Sequence, residues 1–211
     1  EENILKKNYE RPFFDKFLRN FLSKVLPNTN YFKLTSYLVK FGKMFQFIFP
    51  KKIQNMMELM PTSFPEKTLK VKEKYPAKGK KIARVALLTG CVQKELSPQI
   101  NESTIRLLNR HGVEVVVPKK IRCCGSLNHH LGKETDANSD FVNNIETWYE
   151  EHKKGNLDAI LSNTSGCGTT LKDYGFIFRN DKKLKDKAKK ISELSKDVTE
   201  YLSQSLKLKI K

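Results

Sequence analysis

The spacing of apolar residues divides the chain into two parts with different periods. Between residues 11 and 60, large apolar side chains recur every three or four positions with lysine and asparagine between them, which predicts amphipathic helices. These helices cover about residues 13–26, 31–47 and 52–59. We therefore expect a helical extension over residues 1–60. Residues 61–81 contain prolines and charges without a period, and we predict a linker there.

Beyond residue 82, short aliphatic runs alternate with helical patterns. The predicted strands are 83–88, 113–117 and 158–161, and the predicted helices are 100–110, 134–154 and one or two over 181–208. A loop or half-helix is expected between the third strand and Gly175. Continuous apolar runs are typical of strands buried on both faces, and their alternation with helices favours a parallel sheet. We predict an α/β fold for residues 82–211, a Rossmann-like parallel sheet with helices on both faces.

The aromatic, lysine-rich helices of the extension leave three interpretations open. They could form a layer that packs on the main domain, a docking face for a partner subunit or missing domain, or a surface that lies on a membrane. The sequence alone does not choose among them.

The large positive net charge is weak evidence for nucleic-acid binding. The formal net charge is +17, but only seven of the 40 basic residues are arginine. Specific nucleic-acid readers rely on the bidentate arginine fork, and here lysine is spread along the whole chain. We expect no nucleic-acid partner, while attraction to an anionic partner or lipid surface stays open.

The first residues of the chain and its cysteines indicate the cellular compartment in which we expect the protein. No spanning apolar segment or signal peptide is visible, and no initiator methionine is present, so we expect that the chain begins within a longer protein. Four cysteines without export signals favour a reducing compartment, where cysteines more often bind metal or do redox work than form disulfides. We expect a cytoplasmic protein, with peripheral attachment to the inner face of the plasma membrane as an additional expectation.

The cysteines stand at three places, each just after a predicted strand. They are Cys91, the adjacent pair Cys123 and Cys124, and Cys167. In open parallel sheets, ligands bind at the carboxyl ends of the strands. We therefore predict that the three loops bring four thiols to one edge of the sheet.

Four thiolates form a soft-ligand site, for which an iron–sulfur cluster and zinc are the main candidates. Structural zinc sites usually use C-x-x-C knuckles, which are absent, and an adjacent cysteine pair suits ligands to different irons of one cluster. Glycines flank every cysteine position and would let the backbone approach a cluster and donate N–H groups to its sulfurs; they are Gly90, Gly125, Gly166 and Gly168. Four reduced cysteines that pack as small hydrophobes remain an alternative.

Two further groups near the cysteines are candidates for a supporting role. His129 and His130 could surround the site or handle protons there, although each could equally be an ordinary loop residue. Asp173 and Tyr174 could close the site from below or form a turn. No Ser–His–Asp set, phosphate loop or dinucleotide fingerprint is visible, and we expect no catalytic residue in this chain.

Three motifs carry a family resemblance: R-V-A-L-L-T-G-C at 84–91, C-C-G-S-L-N-H-H-L-G at 123–132 and S-G-C-G-T-T-L-K-D-Y-G at 165–175. They resemble the cysteine-rich CCG domain, in particular that of the glycolate oxidase iron–sulfur subunit family. The resemblance implies an electron-transfer subunit that works with FAD-bearing partner subunits, which oxidise glycolate to glyoxylate, and passes electrons toward quinone or another membrane acceptor. It also implies that all four cysteines match cluster-ligand positions, with a 4Fe–4S cluster expected.

Two departures from the family pattern stand out. Thr170 occupies the position where the usual C-x-x-C ending would place a further cysteine. The ferredoxin-like motif and second CCG repeat that the resemblance implies are absent, so the chain resembles a fragment that would not be active alone. Alternatives are a subunit of a lactate or other 2-hydroxy-acid dehydrogenase, or a non-redox scaffold whose cysteines hold zinc or nothing.

Overall fold

The computed structural model describes residues 10–58 and 72–206. The extension contains helices α1 (Phe13–Val25), α2 (Thr29–Gly42) and α3 (Lys51–Glu58), with a 3-10 helix (Lys43–Ile48) between the last two. Pro27 and Asn28 separate the first two helices. The side chain of Asn28 caps α2 by accepting hydrogen bonds from the backbone N–H groups of residues 30 and 31. The three helices lie close to their predicted positions, and residue 59 and those up to 71 lie outside the described part.

The remainder alternates strands and helices. In chain order the elements are β1 (Lys74–Tyr75), β2 (Ala83–Leu88), α4 (Gln93–Leu96), α5 (Pro98–Arg110), β3 (Val113–Val116), α6 (Ser126–His130), α7 (Glu134–Lys154), β4 (Ala159–Ser162), α8 (Ser165–Ile177), α9 (Lys185–Leu194), β5 (Ser195–Asp197) and α10 (Val198–Gln204).

These strands form one five-stranded sheet in the order β1-β3-β2-β4-β5. Strand β2 pairs in parallel with β3 on one side and β4 on the other, and β4 pairs in parallel with β5. The chain therefore leaves the first parallel strand in one direction and later returns to its other side. This reversal creates the crevice at the carboxyl ends of the strands where ligands bind in open α/β sheets.

Helices cover both faces of the sheet, as predicted. One core packs α7, α8 and α9 against the sheet through large buried side chains such as Phe141, Trp148 and Tyr174. The opposite core packs α5 and α10 against alternate strand positions, including Leu108 and Tyr201. Because side chains of a strand point alternately to the two faces, continuous apolar runs supply both cores.

Several local predictions were wrong. The sheet is mixed, because β1 runs antiparallel to β3 and lies inside the segment that we predicted to be a linker. The segment expected to be a loop or half-helix is the full helix α8, and the predicted C-terminal helices are interrupted by β5. Both unpredicted strands are short and polar, and they form because a neighbouring strand offers its unpaired backbone groups.

The extension meets the main domain through polar contacts. Arg19 donates to the backbone carbonyl of Leu131 at 3.4 Å, and Lys33 pairs with the buried carboxylate of Glu95 at 3.3 Å. Most of its large apolar side chains nevertheless remain exposed, among them Phe13, Phe17, Tyr37, Phe41, Phe47 and Ile48. Packing on the main domain thus accounts for few of these side chains. Within the described parts of the chain, no helix is both long enough and apolar enough to cross a membrane.

Candidate functional site

The cysteines lie at the carboxyl edge of the three central strands. Cys91 follows β2, Cys123 and Cys124 follow β3, and Cys167 lies in the first turn of α8 directly after β4. Because β2 pairs with both β3 and β4, the three loops leave the sheet side by side.

The four sulfurs meet as two contacting pairs. The Sγ atoms of Cys91 and Cys123 are 3.6 Å apart, and Cys124 donates to the Sγ of Cys167 at 3.1 Å. All four are free thiols; Cys123 and Cys124 are buried, whereas Cys91 and Cys167 are half-buried. The structure therefore places the four thiols together at the predicted edge of the sheet.

Mutual contact and burial raise the pKa of three of these thiols, Cys91, Cys123 and Cys124. The contact with Cys123, followed by burial, raises the pKa of Cys91 well above its ordinary value. The contact with Cys124 and burial raise the pKa of Cys123 to about 12, although the contact with Cys91 lowers it. For Cys124 the contact with Cys123 lowers the pKa, but the contact with Cys167 and burial outweigh it, so the pKa is raised. A metal guest would have to displace these protons, since the thiolate is the metal ligand.

Backbone N–H groups next to the sulfurs act in the opposite direction. The N–H groups of Val92, Gly125 and Ser126 each lower the pKa of a neighbouring cysteine. The same groups would stabilise negative charge on thiolate ligands and so tune the potential of a bound cluster.

Side chains from α7 and α8 hold the backbone of the cysteine pair. The amide of Asn144, which is fully buried, donates to the carbonyl of Cys123 at 2.7 Å and accepts from the N–H of Arg122 at 2.9 Å. The hydroxyl of Tyr174 donates to the carbonyl of Cys124 at 2.9 Å. This confirms that Tyr174 lies under the site, whereas its neighbour Asp173 is exposed.

Gly125 is required by packing as well as by conformation. Its φ is +79°, in the left-handed region that favours glycine, and a Cβ there would lie 2.3 Å from the Phe141 ring. The turn it makes starts α6, which carries both histidines. Gly90, with φ +70°, makes the corresponding turn before Cys91.

The other predicted supporting residues differ in their surroundings. His129 packs its ring 5.7 Å from both His130 and Phe141, measured between ring centroids, and both histidines are exposed. A Cβ on Gly166 would meet open space, and one on Gly168 would make an ordinary contact with Ser162. A supporting role for these four residues beside a cluster stays a prediction.

Thr170 occupies the place of the missing cysteine. Its side chain is buried, and its hydroxyl donates to the carbonyl of Gly166 at 3.1 Å, within its own helix. This position therefore serves the packing of α8 and adds no sulfur to the site.

A cavity of about 570 Å³ opens beside the sulfurs. Cys91 and Cys123 line it together with the turn between α1 and α2. Three cations and one carboxylate also line it: Lys94, Lys119, Arg122 and Asp140. Burial raises the pKa of Asp140 to about 6, with a contribution from Asp136, while Arg122 lowers it.

The four thiols are suitable donors for a thiophilic guest, but the sulfurs of Cys124 and Cys167, at 3.1 Å, are closer than two sulfur ligands of one zinc ion, which lie about 3.8 Å apart. In the part of the chain that the structure describes, no three His, Cys, Asp or Glu side chains are grouped so as to hold a metal ion. Four thiols share one sheet edge, and Cys91 and Cys123 line the cavity beside it; thiols are the soft donors that iron–sulfur clusters and zinc require. Loading the site would require the two contacting pairs to separate as their protons leave.

Comparison with known proteins identifies the domain. Residues 85–172, which contain all four cysteines, match the profile of the cysteine-rich domain family CCG. The segment that carries the cysteines is thus similar to the CCG cysteine-rich domain family. No solved structure matches the chain significantly.

The proteins to which this chain is similar include iron–sulfur proteins. The chain is 32% identical over 202 residues to the glycolate oxidase iron–sulfur subunit of Escherichia coli, an alignment that covers 96% of the chain and 46% of that subunit. It is 39% identical over 114 residues to an iron–sulfur protein of Methanococcus maripaludis, covering 54% of the chain and 22% of that protein. It is 28% identical over 119 residues to lactate utilization protein A of Bacillus subtilis, covering 56% of the chain and 48% of that protein. The chain thus spans at most about half the length of these relatives.

Some residues around the thiols escaped the sequence analysis. Asn144 gave no signal, because its partners lie about 20 residues earlier in the chain. A second amide group, formed by Gln93, Asn101 and Asn163, lies behind Cys91 and was also missed. An asparagine in the otherwise apolar stripe of a predicted helix, as at position 101, is the one signal that could have pointed to it.

Proposed function

We propose that this chain is part of the iron–sulfur subunit of a flavin-dependent glycolate oxidase complex. In this proposal Cys91, Cys123, Cys124 and Cys167 hold an iron–sulfur cluster of the 4Fe–4S type. Electrons from glycolate oxidation to glyoxylate arrive from FAD-bearing partner subunits and leave toward quinone. The chain is then one component of an oxidoreductase, and the bond chemistry takes place on its partners.

The observation that carries the proposal is the meeting of four free thiols in a CCG domain. Sulfur contacts of 3.6 and 3.1 Å link the three loops. The alignment to a glycolate oxidase iron–sulfur subunit covers nearly the whole chain, including the helical extension.

The residues of this chain would bind and tune the cluster, which when bound supplies one-electron transfer. The two half-buried sulfurs and the two buried ones would be the ligands, with Asn144 and Tyr174 fixing the backbone of the adjacent pair. The aromatic and aliphatic wall beneath the thiols, which includes Phe141, would keep water from one side of the site. Because Thr170 adds no sulfur, four thiolates are the full set of cysteine ligands that this chain offers.

Metal analysis after anaerobic reconstitution tests the cluster. We expect the whole chain to take up iron and sulfide and to absorb near about 400 nm, as thiolate-ligated iron does. Replacement of Cys124 or Cys167 by serine should remove most of the bound iron, whereas Thr170→Ser, a matched control nearby, should retain it. A reconstituted chain that stays colourless and free of iron would refute the proposal.

Zinc is the alternative guest. With Zn–S bonds of about 2.3 Å, sulfurs at the corners of a tetrahedron lie about 3.8 Å apart, close to the observed Cys91–Cys123 separation. Zinc without iron or sulfide in the purified chain would favour a scaffold role over electron transfer.

The substrate is tested with the partner subunits. In the presence of FAD-bearing glycolate oxidase subunits, glycolate should bleach the absorption of the reconstituted chain, and lactate should do so much more slowly. Faster bleaching by lactate would favour the related 2-hydroxy-acid dehydrogenase, which the likeness to lactate utilization protein A suggests.

We further propose that the protein works in the cytoplasm, peripherally on the inner face of the membrane. Residues 10–58 include nine lysines and arginines but only three acidic residues, and the same segment exposes large aromatic side chains. A basic surface with exposed aromatics suits the interface of an anionic bilayer. The chain should sediment with vesicles of anionic lipid and stay in solution with vesicles of neutral lipid. Phe13→Ser combined with Phe17→Ser should weaken binding, and indifference to lipid charge would contradict the proposal.

A further inference from the structure

The loops that carry Cys91 and Cys167 are joined by side-chain amides. Strands β2 and β4 are hydrogen-bonded neighbours, with Leu88 opposite Ser162 at their carboxyl ends. Beyond these residues no backbone hydrogen bond joins the two loops, both of which lie in the described part of the chain. The hydrogen bonds between the loops come from side chains.

Gln93 forms the bridge between the loops. It stands two residues after Cys91, and its Nε2 donates to the Oδ1 of Asn163 at 2.8 Å. Its Oε1 accepts from the hydroxyl of Thr164 at 2.5 Å. One side chain from the first loop thus holds two consecutive residues of the second.

Asn101 supports this bridge through hydrogen bonds to residues of both loops. This residue of α5 is fully buried, and its Nδ2 donates to the carbonyl of Thr89, two residues before Cys91, at 2.8 Å. Its Oδ1 accepts from Gln93 at 3.1 Å and from Asn163 at 2.9 Å. Each of the three amides both donates and accepts a hydrogen bond, since Gln93 also accepts from Thr164 and Asn101 also donates to Thr89.

An amide group centred on a buried asparagine fixes the geometry of its surroundings more than it adds to stability. Burying polar groups costs free energy that hydrogen bonds only partly offset, and an apolar residue at position 101 would pack between α5 and the sheet without that cost. A fully satisfied polar network, in contrast, permits only one arrangement of its members. Here that arrangement fixes residues on both sides of Cys91 and the residues just before the helix that carries Cys167.

We propose that Gln93, Asn101 and Asn163 are positioning residues that hold the sulfurs of Cys91 and Cys167 in register across the sheet edge. The inference rests on the proposed cluster-binding function, because that register is what a shared cluster would need. None of the three amides touches a sulfur, so they act through the loop backbone. The group therefore determines how tightly a cluster is held rather than which ligands bind it.

The first test uses the metal-free chain. Gln93→Met keeps the length of the side chain and removes its hydrogen bonds, and Gln99→Met, at an exposed position of α5, is the matched control. Amide hydrogen exchange measured by mass spectrometry should become faster in residues 163–167 as well as in 89–93 for Gln93→Met. It should not change in either segment for Gln99→Met. Faster exchange confined to 89–93, or no change, overturns the link between the loops.

The second test uses the same variants after anaerobic reconstitution. Iron content of Gln93→Met should equal that of the control, but a chelator should remove the iron about 10- to 100-fold faster, the range typical of residues that support metal ligands. The electron paramagnetic resonance spectrum of the reduced protein should also differ from that of the control. Equal release rates and equal spectra would overturn the positioning role. If the parent chain takes up no iron, the proposed function fails, while the exchange measurement still decides whether the amides join the loops.

Discussion

The phenolic hydroxyl of Tyr174 donates a hydrogen bond of 2.9 Å to the backbone carbonyl of Cys124. Both residues are buried. Cys167 lies seven residues before Tyr174, on the same face of α8, and its sulfur accepts from the sulfur of the same Cys124. Helix α8 therefore contacts Cys124 at two points, one through the side chain and one through the backbone.

Removal of the tyrosine hydroxyl should loosen this contact measurably. Tyr174→Phe keeps the ring and leaves the carbonyl of Cys124 without a partner, so we expect a loss of about 1–2 kcal/mol in the free energy of unfolding. Urea denaturation measures it. Tyr31→Phe, at an exposed position, should change stability by less than about 0.5 kcal/mol. Equal effects of the two substitutions would show that the hydrogen bond does not matter to the fold.

Two glycines beside the cysteines should respond oppositely to alanine. In Gly125→Ala the new methyl group would lie 2.3 Å from a carbon of the Phe141 ring and φ would stay near +79°. We expect a loss of about 2–3 kcal/mol or more. In Gly166→Ala the methyl group meets open space on α8, so stability should rise by up to about 1 kcal/mol. Thermal denaturation of both variants measures these changes in stability. An unchanged stability of Gly125→Ala would show that Phe141 moves aside easily.

How far the fold followed from the sequence depends on the kind of strand. Residues 83–88 form a strand as predicted, because a continuous aliphatic run needs burial on both faces. Lys74–Tyr75 and Ser195–Asp197 have no such pattern, and they become strands only because a partner edge lies beside them. Hydrophobic periodicity detects the elements whose side chains form the core. It does not detect short polar strands that form only by pairing with a neighbouring strand.

The same distinction holds for the site. The meeting of the thiols could be predicted, since each cysteine follows a strand and parallel strands end at one edge. The amides that position them could not, because Asn101 and Asn163 are 62 residues apart and hydrogen-bonding partners of amides leave no periodic mark. The helical character of α8 was also missed, since its glycine-rich start is typical of a loop.

The carboxylate of Asp140 should make stability depend on pH. Burial, with help from Asp136, raises its pKa to about 6, against about 3.9 in an unfolded chain, while Arg122 opposes the shift. The folded state then binds this proton more tightly than the unfolded state, so stability should fall as the pH rises from about 4 to about 7. Asp140→Asn should be more stable than the parent at pH 7.5, by about 1 kcal/mol after allowance for solvent screening.

The control and the pH series separate this effect from a general change of charge. The gain from Asp140→Asn should shrink as the pH falls from about 7 to below about 4, because the parent carboxyl becomes protonated first in the folded state and finally in both states. Asp173→Asn, at an exposed position, should show no comparable gain at any pH. A gain that is equal at pH 4.5 and 7.5 would exclude titration of Asp140 as its cause.

A buried carboxylate near the amino-terminal end of β3 should have the opposite pH dependence. Glu114, on β3, is only 5% exposed, and it accepts from Arg84 at 3.1 Å and from Lys81 at 2.9 Å, while Lys74 lies 3.0 Å away. Burial by itself would raise the pKa of Glu114, but the hydrogen bonds from Lys81 and Lys74 outweigh it and lower the pKa. Since the folded pKa is depressed, Glu114 stabilises the fold above about pH 4.3, and this contribution is lost as the pH falls through the folded pKa.

Neutralising Glu114 should therefore cost stability at neutral pH. Glu114→Gln removes the charge that accepts from Nε of Arg84, although Arg84 keeps the carboxylate of Glu151 and the carbonyl of Gly155, and we expect a loss of about 1–2 kcal/mol at pH 7. The loss should shrink as the pH falls below about 4.3 and through the lowered pKa of the folded state, because the parent carboxylate is then protonated as well. Urea denaturation across the pH range measures both effects, with Glu102→Gln, an exposed glutamate of α5, as the control. If Glu114→Gln costs no more than the control at pH 7, the three cations are held by packing and solvent rather than by this carboxylate.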